Sequence, residues 1–349
     1  IKLYRPVFVM LTLIGFISCS SSTMEERFVP DTKDIIADTE IIRYDQALMQ
    51  LDTNNLDAAL TALYDKYPDF SKLYFEQLTG LYKEDRAAFV NNVSYFLKDK
   101  RIQKLQDLVN EAFSDFGDIE NELARTCKHL KYYFPDVPTP VFYTLFSEFA
   151  YQSFIFSDED RDAIGIGLDM FLGDDFEYKN VDPTNPAFSE YLTRTYNKDH
   201  IVKKSMDIFL EDVLGQPSGK RFIDQIIHKG KKLYIAQRIM PTTPDSIIFE
   251  HSEKQWTWLK DNELEIWSFF LEKALMYETN HLKINKYVNN SPHSQGMPAE
   301  APGRTGQYIG FRIVEKFMEK NPDFELIDLI QYRDAQKLME ISKYKPNRR

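Results

Sequence analysis

Cysteine, glycine and tryptophan are scarce in this chain of 349 residues, which holds 2, 13 and 3 of them. Two cysteines exclude a disulfide scaffold and a cysteine-based structural zinc site. So few glycines exclude a collagen-like repeat and argue against an all-β sandwich, whose turns draw heavily on glycine. Positive charge is short too: 43 Lys and Arg stand against 54 Asp and Glu, for a net charge of -11. A surface of that sign opposes a phosphate backbone, so the chain is no general nucleic-acid binder. Nor would charge alone hold it on anionic lipid. Its six histidines include no His-x-x-x-His pair, and it has no Gly-x-Ser-x-Gly elbow. What it has in quantity is apolar mass: 43% hydrophobic residues, with 26 Phe and 20 Tyr, enough for a sizeable core.

The start of the chain reads as an export signal. Lys2 and Arg5 precede an apolar run, Val7–Ile17, of about eleven residues, too short for a membrane span. Ser18 and Cys19 follow, then Ser20, Ser21 and Ser22. A small residue before a cysteine, then a serine tract, is the pattern of a bacterial lipoprotein. Residues 1–18 are expected to be its signal peptide, with Cys19 acylated as the mature N-terminus and 19–30 a tether. Phe16 stands where a strict lipobox has leucine, and an uncleaved anchor with an incidental cysteine is the alternative. Cleavage takes Lys2 and Arg5 and no acid, so two positive charges leave a net of -11 and -13 remains. Acylation leaves Cys127 as the remaining thiol. It lies in the helical stripe Leu123, Cys127, Leu130, Phe134, which predicts a small buried hydrophobe rather than a reactive group.

Helical periodicity runs from about 31 to 134, through Ile35, Ile36, Ile41, Ile42 and Leu48, then Leu56, Leu60 and Leu63, and later Ile102, Leu105, Val109, Leu123 and Leu130. Pro135 and Pro138 end it. The composition then changes. Residues 141–146, 151–156 and 163–172 are rich in aromatic and β-branched side chains and predict three neighbouring strands. Helical patterns resume from about 187, with segments around 201–209, 222–234, 252–278, 302–320 and 331–342. The expected class is α+β and predominantly helical: an N-terminal helical region over 31–136, then a region over 137–349 in which a small three-stranded sheet is packed by C-terminal helices.

Several motifs fail on chemistry. Gly165-Ile-Gly167 lacks the third glycine of a dinucleotide loop, because Met170 stands there. Gly215-Gln-Pro-Ser-Gly219-Lys220 is one residue short of a phosphate loop, and Arg221 occupies the place of the metal-binding hydroxyl; it reads as a helix-start loop with Pro217 and Ser218 at the cap. Asp158, Glu159 and Asp160 lack calcium-loop spacing and read as a solvated turn. His129 is expected on a helix surface. His228 lies mid-helix, the setting of a zincin His-Glu-x-x-His helix, where two histidines hold zinc and the glutamate is the base. Here Lys229 takes the base position and Lys232 that of the second ligand. A protonated ammonium repels a metal ion, so no metal and no cofactor is expected, and His228 reads as a histidine satisfied by neighbouring helices.

The C-terminal half carries the specific segments: Gly230-Lys231-Lys232-Leu233-Tyr234, Met240-Pro241-Thr-Thr-Pro-Asp245, Gln255-Trp256-Thr-Trp258 with Asn262-Glu263 and Trp267, Pro302-Gly303-Arg304-Thr-Gly306-Gln-Tyr308-Ile-Gly310, and the terminal Tyr344-Lys345-Pro346. Together with the lipobox they resemble the gliding-motility lipoprotein GldB family of Bacteroidetes over essentially the whole chain. That family is itself distantly similar to zincin-like peptidases with a degenerate metal motif, which implies a degenerate zincin-like fold. The resemblance further implies a role in gliding motility and the associated type IX secretion machinery, with other envelope proteins as partners and a membrane reached through acyl chains on Cys19. Ser20 is not the aspartate of an inner-membrane retention signal, which favours the outer membrane.

From the residues themselves, Pro302-Gly303 marks a turn before a helix. Gly306 and Gly310 share a helical face that another element can approach, either a partner or this chain's own interior. Arg304 and Arg312 can pair with carboxylates or a partner, and Glu263 and Glu265 read as first-turn helix acids. Three functions stay open: a non-catalytic structural or assembly factor, a metal-dependent peptidase with ligands such as His228, Glu263 and His281, and a ligand-binding lipoprotein with a cleft lined by Trp256, Trp258 and Tyr308.

Overall fold

The computed structural model describes residues 27–346; Cys19 and the apolar run lie outside the described residues. After β1 (Ile41–Arg43) the chain forms α1 (Tyr44–Met49), α2 (Leu56–Lys66), α3 (Pro68–Lys72), a π-helical turn over Leu73–Leu78, α4 (Arg86–Lys98), α5 (Lys100–Ala112) and α6 (Gly117–Tyr133). The remaining strands follow: β2 (Val141–Leu145), β3 (Ser153–Asp158) and β4 (Arg161–Gly167). Then come α7 (Glu190–Thr193), α8 (Ile201–Leu214), α9 (Phe222–Ile239), α10 (Asp245–Ile248), α11 (Glu253–Asp261), α12 (Glu263–Glu272), α13 (His281–Val288), α14 (Thr305–Lys320), α15 (Leu326–Gln331) and α16 (Ala335–Ser342). The architecture is the expected helical α+β class.

Local chemistry sets many of these ends. Asp85 caps α4 by accepting the Ala88 N–H at 2.7 Å, Asp99 caps α5 through the Arg101 N–H at 2.8 Å, and Ser252 and Gln255 cap α11 reciprocally. At the start of α9 the cap is not Pro217 and Ser218 but the Asp224 carboxylate, which accepts the Arg221 backbone N–H at 3.0 Å and pairs with its guanidinium. α9 begins at Phe222 with Arg221 at the cap position, so Pro217 and Ser218 lie upstream of the place from which a side chain caps the first turn.

The sheet has four strands, not three, in the order β1-β2-β4-β3. β1, β2 and β4 run parallel, and β3 is antiparallel to β4. β1 falls inside the run read as helical, because Ile41, Ile42 and Leu48 satisfy a helical period. What makes it a strand is its partner about a hundred residues later, with Ile41 opposite Phe142. The third expected strand ends at Gly167, and Leu168–Phe171 is a 3-10 turn.

The sheet separates two hydrophobic cores. Val141, Tyr143, Leu145 and Ala163 face α1–α4, while Phe142, Phe146, Ile164 and Ile166 face α5, α6 and the C-terminal helices. The period-2 alternation of β2 therefore supplies both cores. Gly165 lets the Phe154 ring lie flat on the sheet, where a Cβ would stand 2.2 Å from the ring edge. Cys127 is buried in the second core, and burial pushes its thiol up to about 11. His129 is buried too, contrary to the surface reading; its Nδ1 meets the Ile239 carbonyl at 3.0 Å, a polar partner that makes burial tolerable.

The second core is organised by α9 crossing α14. A Cβ on Gly310 would lie 1.8 Å from the Ile226 carbonyl oxygen, and one on Gly230 would lie 2.2 Å from the Gly310 carbonyl carbon. The two backbones touch, and only glycine permits it. Of the two occupants open to the Gly306–Gly310 face, the structure seats this chain's own α9. Arg27, near the end of the expected tether, is docked: its guanidinium donates to the Thr243 carbonyl at 2.8 Å and pairs with Asp245.

Candidate functional site

Of the residues singled out in the C-terminal half, Lys229, Lys232 and Arg304 meet at one charged cleft. Gly303 is pressed against the Ser291 carbonyl, which a Cβ would approach to 2.1 Å. Ser294 Oγ donates to the Pro302 carbonyl at 2.7 Å and lies 2.8 Å from Thr305 Oγ1. This turn holds Arg304 at φ +63°, a left-handed conformation immediately before α14. Its guanidinium thereby reaches back to the turn after α10, donating to the Phe249 carbonyl and to Glu250 Oε2, each at 2.8 Å. Glu250 is itself left-handed, at φ +49°.

From Glu250 an ion-pair network runs across α8 and α9. Lys204 meets Glu250 Oε1 at 2.8 Å. Lys203 is paired with Asp207, and Lys232 reaches Asp207 at 3.5 Å and Glu211 at 2.8 Å. Lys229 completes it at 3.0 Å from Glu211. On α8, Lys203, Asp207 and Glu211 are spaced by four and lie on one face. Burial opposes the charge on Glu250, but Lys204, Lys203 and Arg304 outweigh it and hold the carboxyl well below the usual range. Burial likewise opposes the charge on Glu211, and Lys232 and Lys229 bring it down to about 2. These side chains line an open cleft of about 510 Å³, with Gln152 and Ser153 from the β3 side and Asn289, Asn290 and Gln307 completing the wall.

His228 does not join its neighbours. It lines a separate small pocket with Lys231, Tyr332 and Arg333, whereas Lys229 and Lys232 face the cleft, so the i and i+4 positions of α9 open into different cavities. Burial, then Lys229, Lys231 and Lys232, lower its pKa to about 4. Lys231 donates to the Tyr332 carbonyl, and burial followed by Arg333 brings it down to about 8. Glu263 accepts the Tyr308 hydroxyl at 2.7 Å and the Tyr344 hydroxyl at 2.8 Å and pairs with Arg312 at 3.1 Å, while His281 is exposed at the start of α13. Among the described residues no three His, Cys, Asp or Glu side chains are grouped to hold a metal ion. His228, Glu263 and His281 therefore do not form one.

The aromatic residues are structural. Trp256 and Tyr308 are buried and meet edge to face at 5.6 Å, so they fill the core and line neither the charged cleft nor the His228 pocket, because the large rings pack on Phe249. Trp258 is half-buried against the same core. Trp267 holds Tyr344 at 5.2 Å, and Tyr234 carries the Arg238 guanidinium at 4.8 Å. Sequence reasoning reached Arg304, Lys229 and Lys232 but passed over Lys203, Lys204, Asp207, Glu211 and Glu250. The signal was on α8: Ile201, Val202, Met206, Phe209 and Leu210 leave its charged residues little room on a solvated face.

The fold and cleft define a helical α+β protein built round a buried ion-pair network, and none of its described helices is long and apolar enough to cross a membrane. The profile of the gliding motility protein GldB family, a lipoprotein family, matches residues 25–346, and the chain belongs to that family. No curated protein and no solved structure matches it.

Proposed function

We propose that the protein is a lipid-anchored component of the cell envelope, held at the outer membrane through Cys19, that serves gliding motility and the associated type IX secretion as a non-catalytic structural or assembly factor. Its partners are other envelope proteins of that machinery. The observation that carries the non-catalytic reading is the state of α9: the positions that a zincin-like helix gives to its base and second ligand are Lys229 and Lys232, both committed to ion pairs with Glu211. An ammonium locked to a carboxylate neither accepts a proton nor ligates a cation.

The test is complementation of a gliding strain that lacks the protein. His228→Ala is expected to restore spreading and adhesin secretion as fully as the native chain, whereas Cys19→Ala is not. The native protein is expected to carry under a tenth of an equivalent of transition metal. One equivalent of zinc that disappears in His228→Ala, with motility lost alongside it, would establish the peptidase reading instead.

A further inference from the structure

The cleft between α8, α9 and the start of α14 carries the wrong charge for the molecule it sits in. The chain is strongly acidic, yet this cavity is lined by five cationic side chains, Lys203, Lys204, Lys229, Lys232 and Arg304, against three carboxylates, Asp207, Glu211 and Glu250. Each carboxylate is already shared between two cations. Two positive charges therefore stand uncompensated in a partly desolvated site, with Lys203 only 2% exposed.

Donors remain as well. Each ammonium has three N–H groups. The ion pairs engage one on Lys203, Lys204 and Lys229 and two on Lys232. Arg304, by contrast, spends its fork on Glu250 and the Phe249 carbonyl. Lysines are point-charge donors suited to phosphate, and two excess charges match the dianion of a phosphate monoester. One further group narrows the class. The Asp207 carboxylate belongs to the cleft wall, and its covered Oδ1 has no hydrogen-bond partner among the described residues. A buried orphan acceptor calls for a donor, which the phosphoryl group of a dianionic phosphate ester lacks and the hydroxyls of its sugar bring. The rest of the wall mixes amide and hydroxyl groups with Ile208, Leu233 and Val288, and about 510 Å³ exceeds what a lone phosphate needs while suiting a small sugar.

We propose that this cleft binds a phosphorylated sugar, its phosphate held by the lysines of α8 and α9 and a hydroxyl given to Asp207. The binding depends on the cleft alone and not on the non-catalytic reading. The same chemistry occurs in a soluble sugar phosphate and in a phosphorylated glycolipid headgroup.

Calorimetry on the full-length chain in detergent tests it, with glucose 6-phosphate, glucose, inorganic phosphate and lipid A micelles as probes. Glucose 6-phosphate is expected to bind at one equivalent and inorganic phosphate to compete more weakly. Lys229→Gln is expected to weaken the sugar phosphate at least about tenfold, the loss of one charge-assisted donor. That lysine is 28% exposed and leaves Glu211 paired with Lys232, so the fold tolerates the change. Lys204→Gln, which leaves Glu250 with Arg304, is the second variant, and a retained melting temperature shows that either is folded. Lys316→Gln, on an exposed pair of α14, is the unaffected control. Lipid A binding tighter than glucose 6-phosphate assigns the site to a headgroup, and the reverse to a soluble ligand. No saturable heat up to about 5 mM, equal affinity for glucose, or affinity unchanged in both cleft variants overturns the proposal.

Discussion

Alanine at Gly310 asks whether the glycines of α14 serve the interior or a partner. In a solvated helix, Gly→Ala gains about 1 kcal/mol from propensity alone. Here the new Cβ would stand 1.8 Å from the Ile226 carbonyl oxygen. An ordinary contact of carbon with a carbonyl oxygen is about 3.3 Å, so the crossing must open by about 1.5 Å. Ile226, Ile309, Ile313 and Val314 flank it, all fully buried. A gap of even 1 Å forfeits up to about half of each dispersion well along the seam, and overpacking of this kind costs about 3 kcal/mol or more. About 4 kcal/mol of strain less about 1 of propensity leaves a net loss of about 3, or roughly 6 °C in melting temperature at about 2 °C per kcal/mol. Gly230→Ala, at 2.2 Å from the Gly310 carbonyl carbon, should behave alike. Gly306→Ala meets its nearest neighbours at 2.9–3.2 Å, and its propensity gain should cancel about 1 kcal/mol of crowding. Thermal and urea unfolding of the three variants is the assay. A Gly310→Ala protein that melts with or above the native one, yet fails to support gliding, would refute the internal reading and assign the face to a partner.

Other perturbations follow from the same contacts. Glu250→Gln strips the shared carboxylate from Lys204 and Arg304 at full burial and should cost about 3–5 kcal/mol, read by urea denaturation; a loss below about 1 would mean the network is solvated. Glu263→Leu releases the Tyr344 and Tyr308 hydroxyls and should raise amide exchange over residues 335–344 ahead of the rest of the chain; uniform protection there would contradict it. Burial is the main cause that lowers His200 and His228 to about 4 and His251 to about 3. A depressed folded pKa gives stability that is present above the unfolded value of about 6.5 and lost as pH falls, so melting temperature should drop between about pH 6.5 and 4. Asp169, raised by burial to about 6, opposes this over part of the range; a flat or rising profile would contradict the histidine assignment.

Most helices were legible because burying one face writes a period of 3.6 into the sequence, and α5, which buries Ile102, Leu105 and Val109, is a clear example. β1 was not, since three residues carry no period of their own and Ile41 becomes a strand residue only by meeting Phe142. His129 shows the same limit: its burial depends on a carbonyl 110 positions away. In the cleft, the family segments pointed to Arg304 and to the lysines of α9. Their counter-charges were hidden on α8 and at Glu250, where single acids look solvated until a second helix covers them. The tryptophans misled for the opposite reason, because a large ring suits a cleft wall and a core equally, and only packing decides.

Under the proposed anchoring at Cys19, the docking of Arg27 would set how far the folded body can stray from the membrane. With acyl chains on Cys19, seven residues would lie between it and Arg27, whose guanidinium is clamped on Thr243 and Asp245, and the eight chain steps could span no more than about 28 Å. Such a leash is short beside the molecule's own dimensions. The turn between α9 and α10 would then be the membrane-side pole, and freedom to swivel would be confined to a shallow dome above the lipid. A partner of the anchored protein would have to come to it, within about one molecular diameter of the bilayer.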